Sequence, residues 1–281
     1  MPAMRTLVLT VVAMVAFAAN SVLCRLALAD ADIDPASFGA LRLAAGSLVL
    51  VLVLRWRARP AVPVRRDWLA PAMLFGYVAF FSFAYRTLSA GTGALILFGA
   101  VQLTMLTVGL RRGESFGARG WVGFALAVAG FVWLVLPGVS APPPVGALLM
   151  AVAGIAWGVY TLRGRGVADP LAATTHNFLW ATPLALALAL ALSWQAHADA
   201  RGVALAVASG AISSGLGYVV WYAALAGLGA LRAATVQLSV PPLAAIGGVM
   251  FMAEQPGMRL VGASAAILGG IALVLMRERR H

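Results

Sequence analysis

Apolar residues along this chain recur in stretches of roughly 20 from Met4 to Met276, each long enough to cross a hydrocarbon core of about 30 Å as a helix. The pattern predicts helices near 4–26, 35–54, 68–88, 91–110, 118–136, 145–163, 171–192, 203–225, 231–252 and 259–276. Proline punctuates the connections: Pro60 and Pro63 in one, Pro137 with Pro142, Pro143 and Pro144 in another, and Asp169-Pro170 in a third. The first stretch follows a single Arg5 and has no small-residue cleavage site ahead of a soluble domain, so it is expected to be a retained span rather than a signal peptide.

Composition agrees with lipid as the main solvent. Of 281 residues 62% are hydrophobic and 10% charged, against about 25% charged in soluble domains. The formal charge of +11 does not indicate nucleic acid, because all 20 basic residues are Arg in short clusters between apolar stretches, and no loop is long enough for a contiguous basic surface with stacking aromatics. Fifteen of them fall on the side of the N-terminus. Arg25, Arg86, Arg201 and Arg259 fall on the other, and Arg42 lies within a span. That asymmetry predicts both termini in the cytoplasm and an even number of crossings, as for a protein of the bacterial inner membrane. The acidic run Asp30, Asp32, Asp34 falls on the outer side. Cys24 stands alone, and His176, His197 and His281 have no metal-ligand spacing, so no metal, cofactor or disulfide is expected.

Residues 81–102 match 218–239 at a constant offset of 137: Phe81 with Tyr218, Tyr85-Arg86-Thr87-Leu88 with Tyr222-Ala223-Ala224-Leu225, and Gln102 with Ser239. Further on the offset becomes 140, pairing Gly113-Glu114 with Ala253-Glu254. The expected fold is therefore all-α: ten transmembrane helices in two five-helix repeats, 1–138 and 139–281. Five is odd, so consecutive repeats insert in opposite orientations and enclose a central cavity between them.

Four places carry a family resemblance: Phe17-Ala18-Ala19-Asn20-Ser21 with Arg25; Pro35 through Phe38 to Arg42; Tyr85-x-x-Leu88 leading to Ala94, with its twin Tyr222-x-x-Leu225 leading to Ala233; and the pairs Gly113-Glu114 and Ala253-Glu254. In order and duplication they resemble the drug/metabolite transporter superfamily, in its ten-helix branch with two EamA-type domains. One departure concerns the proline within the fourth helix, present in the second half as Pro241-Pro242 and missing near Val101-Gln102. The resemblance implies a small-solute exporter similar to bacterial exporters of amino acids, including aromatic ones. A multidrug or nucleoside exporter of the same fold is the alternative.

The residues narrow the cargo further. Asp30, Asp32, Asp34, Asp67, Glu114, Asp169, Asp199, Glu254 and Glu278 all fall in loops or at helix ends. A proton- or sodium-coupled carrier usually places an acidic side chain in the pathway, and a carrier of permanent cations needs a counter-charge there. Neutral or zwitterionic cargo moving downhill is the expectation. A phosphate would call for two or more converging donors, and Arg42 is the one Arg well inside a span. Arg42 itself reads as a structural or gating residue that snorkels or pairs with a helix end or with Asp34, with substrate contact the other reading.

Ser214, Tyr218 and Tyr222 share one helical face at i, i+4, i+8, and their repeat partners are Tyr77, Phe81 and Tyr85. Phe98 with Gln102, and Thr235 with Ser239, add positions at the same offset. An aromatic chamber formed from the two halves would stack a side chain and take an ammonium over ring faces. Trp157, His176 and Trp180 are expected to join it, and Asn20 to hydrogen-bond cargo or neighbouring helices. Pro241 and Pro242 are expected to break the ninth helix and free carbonyls near Gln237 and Ser239, and Pro183 to bend the seventh. A membrane enzyme needs a nucleophile with a base at one depth. Ser213 and Ser214 have one interior His, on another helix, so no catalytic residue is assigned. The expected partners are a small-molecule substrate and the bilayer, with the chain acting as a monomer.

Overall fold

A computed structural model of the chain describes residues 2–57, 67–111, 117–136, 138, 141–164, 167–225, 228 and 236–275. Pro60, Pro63, Pro137, Gly113-Glu114, Ala233, Thr235, Glu278, His281 and the clusters at Arg59, Arg65, Arg66, Arg112, Arg165, Arg232, Arg277, Arg279 and Arg280 lie outside the described residues. The helices are α1 (Pro2–Ala29), α2 (Pro35–Trp56), α3 (Leu69–Ala84), α4 (Ala90–Arg111), α5 (Ala118–Val135), α6 (Pro144–Arg163), α7 (Pro170–Ala191), α8 (Ala200–Ala208), α9 (Gly217–Leu225), α10 (Val240–Met252) and α11 (Met258–Leu275). Between α8 and α9 the residues Ser209–Leu216 form a π-helical segment, so α8, this segment and α9 make one continuous span. With that run taken as one, ten helices are described. Six, including the whole run Ala200–Ala224, are long and apolar enough to cross a membrane, while α3, α10 and α11 are shorter apolar helices.

The carboxylates at helix starts are caps. Asp34 Oδ1 accepts from the backbone N–H groups of Ala36 (3.0 Å) and Ser37 (2.9 Å), and Pro35 begins α2 where a missing N–H costs nothing. Asp169 repeats the device for α7, accepting from Ala172 N–H at 3.0 Å ahead of Pro170, and Asp199 accepts from Gly202 N–H at 2.7 Å at the start of α8. Each such cap contributes about 1 kcal/mol. Pro241 and Pro242 sit in the first turn of α10, which follows helical Val236 and Gln237 and a turn at Leu238 and Ser239. The Ser239 carbonyl, expected to be free, accepts from Leu243 N–H at 3.1 Å. Pro183 does lie inside α7, where it leaves the Leu179 carbonyl without its helical donor.

Helices of one repeat pack chiefly on helices of the other: α3 on α6, α2 on α7, α1 on α9 and α10, α4 on α6 and α10, and α5 on α11. Small residues allow this in lipid, where packing rather than water exclusion drives association. A β-carbon at Gly123 of α5 would lie 2.5 Å from the Gly270 carbonyl oxygen of α11, and one at Gly270 would lie 2.5 Å from the Gly123 oxygen. Gly154 of α6 rests likewise on the Leu97 carbonyl of α4.

Ion pairs tie both ends of the bundle. At one end Arg57 holds Asp169 through both oxygens, joining α2 to α7, and Arg163 Nε donates to Asp67 at 2.7 Å, joining α6 to the start of α3. The hydrogen bond from Arg163 holds the Asp67 carboxyl below its ordinary pKa. At the other end Arg201 pairs with Asp32 at 3.0 Å, and Arg25 Nε donates to Glu254 at 3.2 Å. Glu254 also accepts from Ala90 N–H at 2.9 Å, and Arg25 Nη1 donates to the carbonyls of Tyr85 (2.9 Å) and Arg86 (3.0 Å). One latch therefore joins α1, the start of α4 and the end of α10.

The end of α10 holds a mild backbone misfit beside this latch. Ala253 caps the helix with φ 52, ψ 27 in the left-handed region, and both it and Glu254 donate N–H to the Gly248 carbonyl. That conformation costs a β-carbon-bearing residue about 1–2 kcal/mol, and glycine recovers part of it. Ala253→Gly should therefore raise stability by up to about 1 kcal/mol. Thermal unfolding in detergent checks this, and an unchanged or lowered midpoint contradicts it.

Candidate functional site

The repeats meet around a cavity of about 20 Å³, lined by Phe17, Asn20 and Ser21 of α1, Arg42 of α2, Tyr77 and Phe81 of α3, Leu97 and Phe98 of α4, Trp157 of α6, Ser213 and Ser214 of the π-helical segment, and Tyr218 of α9. That volume holds about one water molecule. Trp157 sits at the centre of the rings, stacked on Tyr218 at 5.4 Å and tilted against Tyr77 at 4.8 Å and Tyr160 at 5.3 Å. Phe17 meets Tyr218 edge-on at 5.9 Å, and Phe178 of α7 does so at 5.7 Å. Tyr77 and Tyr218 are each 5% exposed, so their hydroxyls face the protein interior rather than acyl chains.

The polar atoms form one network across four elements. Arg42 Nη2 donates to the Tyr77 hydroxyl at 2.9 Å and Nε donates to Ser214 Oγ at 3.1 Å. Asn20 Nδ2 donates to the same Tyr77 oxygen at 3.4 Å, and Asn20 Oδ1 accepts from Ser209 Oγ at 2.7 Å. The guanidinium carbon lies 5.1 Å from the Tyr77 ring centre and 5.0 Å from that of Phe81, so two π-faces flank the cation. Arg42 is only 1% exposed. It does not snorkel and does not reach Asp34, whose oxygens are committed to the α2 cap and to His197 N–H at 3.3 Å. The expected structural residue is thus a wall of the cavity.

Of the residues expected in the chamber, Asn20, Tyr77, Phe81, Phe98, Trp157, Ser214 and Tyr218 come together here. Others do not. Trp180 is 45% exposed and packs edge-on against Trp68 at 4.7 Å, with half-buried His176 beside it at 6.1 Å. The reason is helical phase: α7 buries Phe178, and residues two before and two after it lie about 200° around the axis. Gln102 is buried one turn along α4 from Phe98, outside the cavity lining. Ser239 is exposed in the turn before α10, its hydroxyl donating to the Val236 carbonyl at 2.7 Å. Pro241, Pro242 and Pro183 also lie off the lining.

Phe17, Ser21, Leu97 and Ser213 line the cavity without having been singled out for it. The spacing of Phe17, Asn20 and Ser21 at i, i+3, i+4 was the available signal on α1. Ser209 and Ser213, also four apart, have no such warning, because the π-helical turn shifts their phase.

A two-repeat helical bundle that closes a polar-tipped, ring-lined cavity at the repeat interface has the architecture of a secondary transporter. The EamA-like transporter family matches residues 4–136 and again 144–276, and the chain belongs to that family, in the drug/metabolite transporter superfamily. An uncharacterized protein of Pseudomonas aeruginosa is 56% identical over 275 residues, covering 98% of this chain and 96% of that one. The threonine/homoserine exporter RhtA of Salmonella typhimurium is 28% identical over 253 residues, covering 85% and 82%. A solved crystal structure superposes with a TM-score of 0.63 at 21% identity, covering 94% of this chain and 97% of that one, a likeness of fold alone.

Proposed function

We propose that this protein exports small neutral or zwitterionic metabolites by alternating access, with amino acids bearing hydrophobic or aromatic side chains as the leading cargo. The observation that carries the reading is the cavity itself. Rings from both repeats line it, and every described carboxylate is spent elsewhere on a cap, a latch or a loop. A cavity without a titrating acid gives proton or sodium coupling no handle, so transport runs down the cargo's own gradient. The similarity to RhtA supports an amino acid as cargo, and the Arg distribution supports an inner-membrane protein with both termini cytoplasmic.

In this reading the two halves exchange roles about the shared site, and the end latches alternate. The pair Arg57–Asp169 and the pair Arg25–Glu254 lie at opposite ends and cannot both stay closed while cargo passes. Purified protein in liposomes should show counterflow of labelled L-phenylalanine, L-leucine or L-threonine with no imposed ion gradient. Counterflow that appears only with a proton or sodium gradient removes the uncoupled mechanism, and none of the three moving at all removes the amino acid reading.

A further inference from the structure

We infer that Arg42 is the receptor for a carboxylate on the cargo, and that Nη1 is the donor held in reserve for it. This rests on the transport reading above and narrows it to a substrate class, metabolites with one carboxylate beside an apolar side chain.

A guanidinium carries five N–H donors and, deep in a membrane protein, is retained only where something uses its charge. Arg42 is 1% exposed, yet the described residues give it two hydroxyl partners, Tyr77 and Ser214, and no carboxylate. Among the described residues Nη1 is buried with no hydrogen-bond partner, although it belongs to a residue that lines the cavity. Native proteins rarely leave a buried charged donor unmade, because its desolvation goes uncompensated. Hydroxyls supply oriented dipoles but no counter-charge, so the cavity keeps a full positive charge until an anion arrives.

The surroundings suit a carboxylate over other anions. Tyr77 and Phe81 flank the guanidinium and hold its plane, while Ser214 and Tyr77 fix Nε and Nη2. Nη1 and the remaining hydrogen of Nη2 are left on the same end, the fork that matches two carboxylate oxygens. A phosphate dianion would bring more charge than one arginine offsets. A simple amine would add a second positive charge beside the first. The cargo's ammonium, when it has one, has the Trp157 and Tyr218 faces available instead.

The test uses full-length protein in liposomes and three pairs of probes, each amino acid against the amine left when its carboxylate is removed: L-phenylalanine and 2-phenylethylamine, L-leucine and 3-methylbutylamine, L-threonine and 1-amino-2-propanol. N-acetyl-L-phenylalanine, which keeps the carboxylate and loses the ammonium, is the fourth arm. The amino acids and the N-acetyl compound should compete for counterflow, with the amines about a hundredfold weaker. Arg42→Gln should erase that preference and weaken the amino acids by about the same factor, whereas Arg42→Lys should keep the preference at reduced affinity. Amines that compete as well as their parents, or a preference intact in R42Q, overturn the proposal.

Ligand-induced thermal stabilisation in detergent separates this proposal from the transport reading. Wild-type protein stabilised by L-phenylalanine but not by 2-phenylethylamine, with no counterflow, upholds the anchor and sinks the transport cycle. Stabilisation by both alike, with counterflow intact, sinks the anchor alone. Neither stabilisation nor counterflow with any probe sinks both. Should R42Q fail to give a monodisperse protein, the wild-type and R42K comparisons across the four arms decide the matter.

Discussion

Gly210→Val should leave almost no folded protein in detergent. Gly210 stands in the π-helical segment of the second repeat where it crosses α2 of the first, and a β-carbon there would fall on the carbonyl of Arg42, with the carbonyl and α-carbons at 2.9 Å. The obstruction is backbone, so no rotamer change relieves it. Added volume in a packed interior costs typically 1–3 kcal/mol and more where nothing yields, against a total stability of about 5–15 kcal/mol. The substitution also pushes away the residue whose side chain reaches Tyr77 and Ser214, so whatever folds has a displaced guanidinium. Size-exclusion profiles and thermal unfolding check this directly. Gly257→Ala is the control, since nothing lies within 4 Å of a β-carbon at that position. A G210V protein that melts like the parent would mean that α2 and the π-helical segment are not in contact.

Trp157→Ala should be the most damaging single truncation in the ring cluster. Its indole touches Tyr77 of the first repeat and Tyr160 and Tyr218 of the second, so removing it unpacks both sides of the cavity at once. Loss of a large buried aromatic costs about 3–5 kcal/mol, of which the partial exposure of Trp157 discounts some. Trp157→Phe keeps a stacking face on Tyr218 and should lose less than half as much. Binding of L-phenylalanine by thermal stabilisation should fall below detection in W157A and persist in W157F. Equal behaviour of the two variants would place the stacking surface elsewhere.

Much of the fold was legible because it follows from one-dimensional rules. Uninterrupted apolar runs set the spans, and Asp169-Pro170 marked a connection whose following helix the Asp169 carboxylate caps. The carboxylate inventory read correctly for the described residues for the same reason: caps and end latches belong at helix ends. What stayed hidden depends on rotation about helix axes. On α7 the polar residues Thr174, Thr175, His176 and Asn177 are consecutive and point around the whole axis, so nothing in the chain says that Phe178 faces inward and His176 and Trp180 outward. Tyr77, Tyr218 and Ser214 were found because their stripes repeat in both halves, a symmetry that pins phase. Arg42, read as a structural or gating residue, lines the cavity because Gly210 and Gly46 bring α2 close to the π-helical segment, a contact between repeats with no local signature. Pro241 and Pro242 occupy the first turn of α10, where missing N–H groups cost little, and the turn at Leu238 and Ser239 separates them from helical Val236 and Gln237.

The narrowness of the cavity has an energetic corollary. With room for about one water between its rings, the bundle must part Trp157 from its neighbours before cargo of the proposed class fits. In the proposed cycle the receptive shape is therefore a conformer other than this one. Apparent affinity equals the intrinsic value scaled down by that conformer's fraction. Loose grip then comes from the cost of opening rather than from poor complementarity, and the free energy stored in parting the rings is returned when they close behind departing cargo, favouring its release.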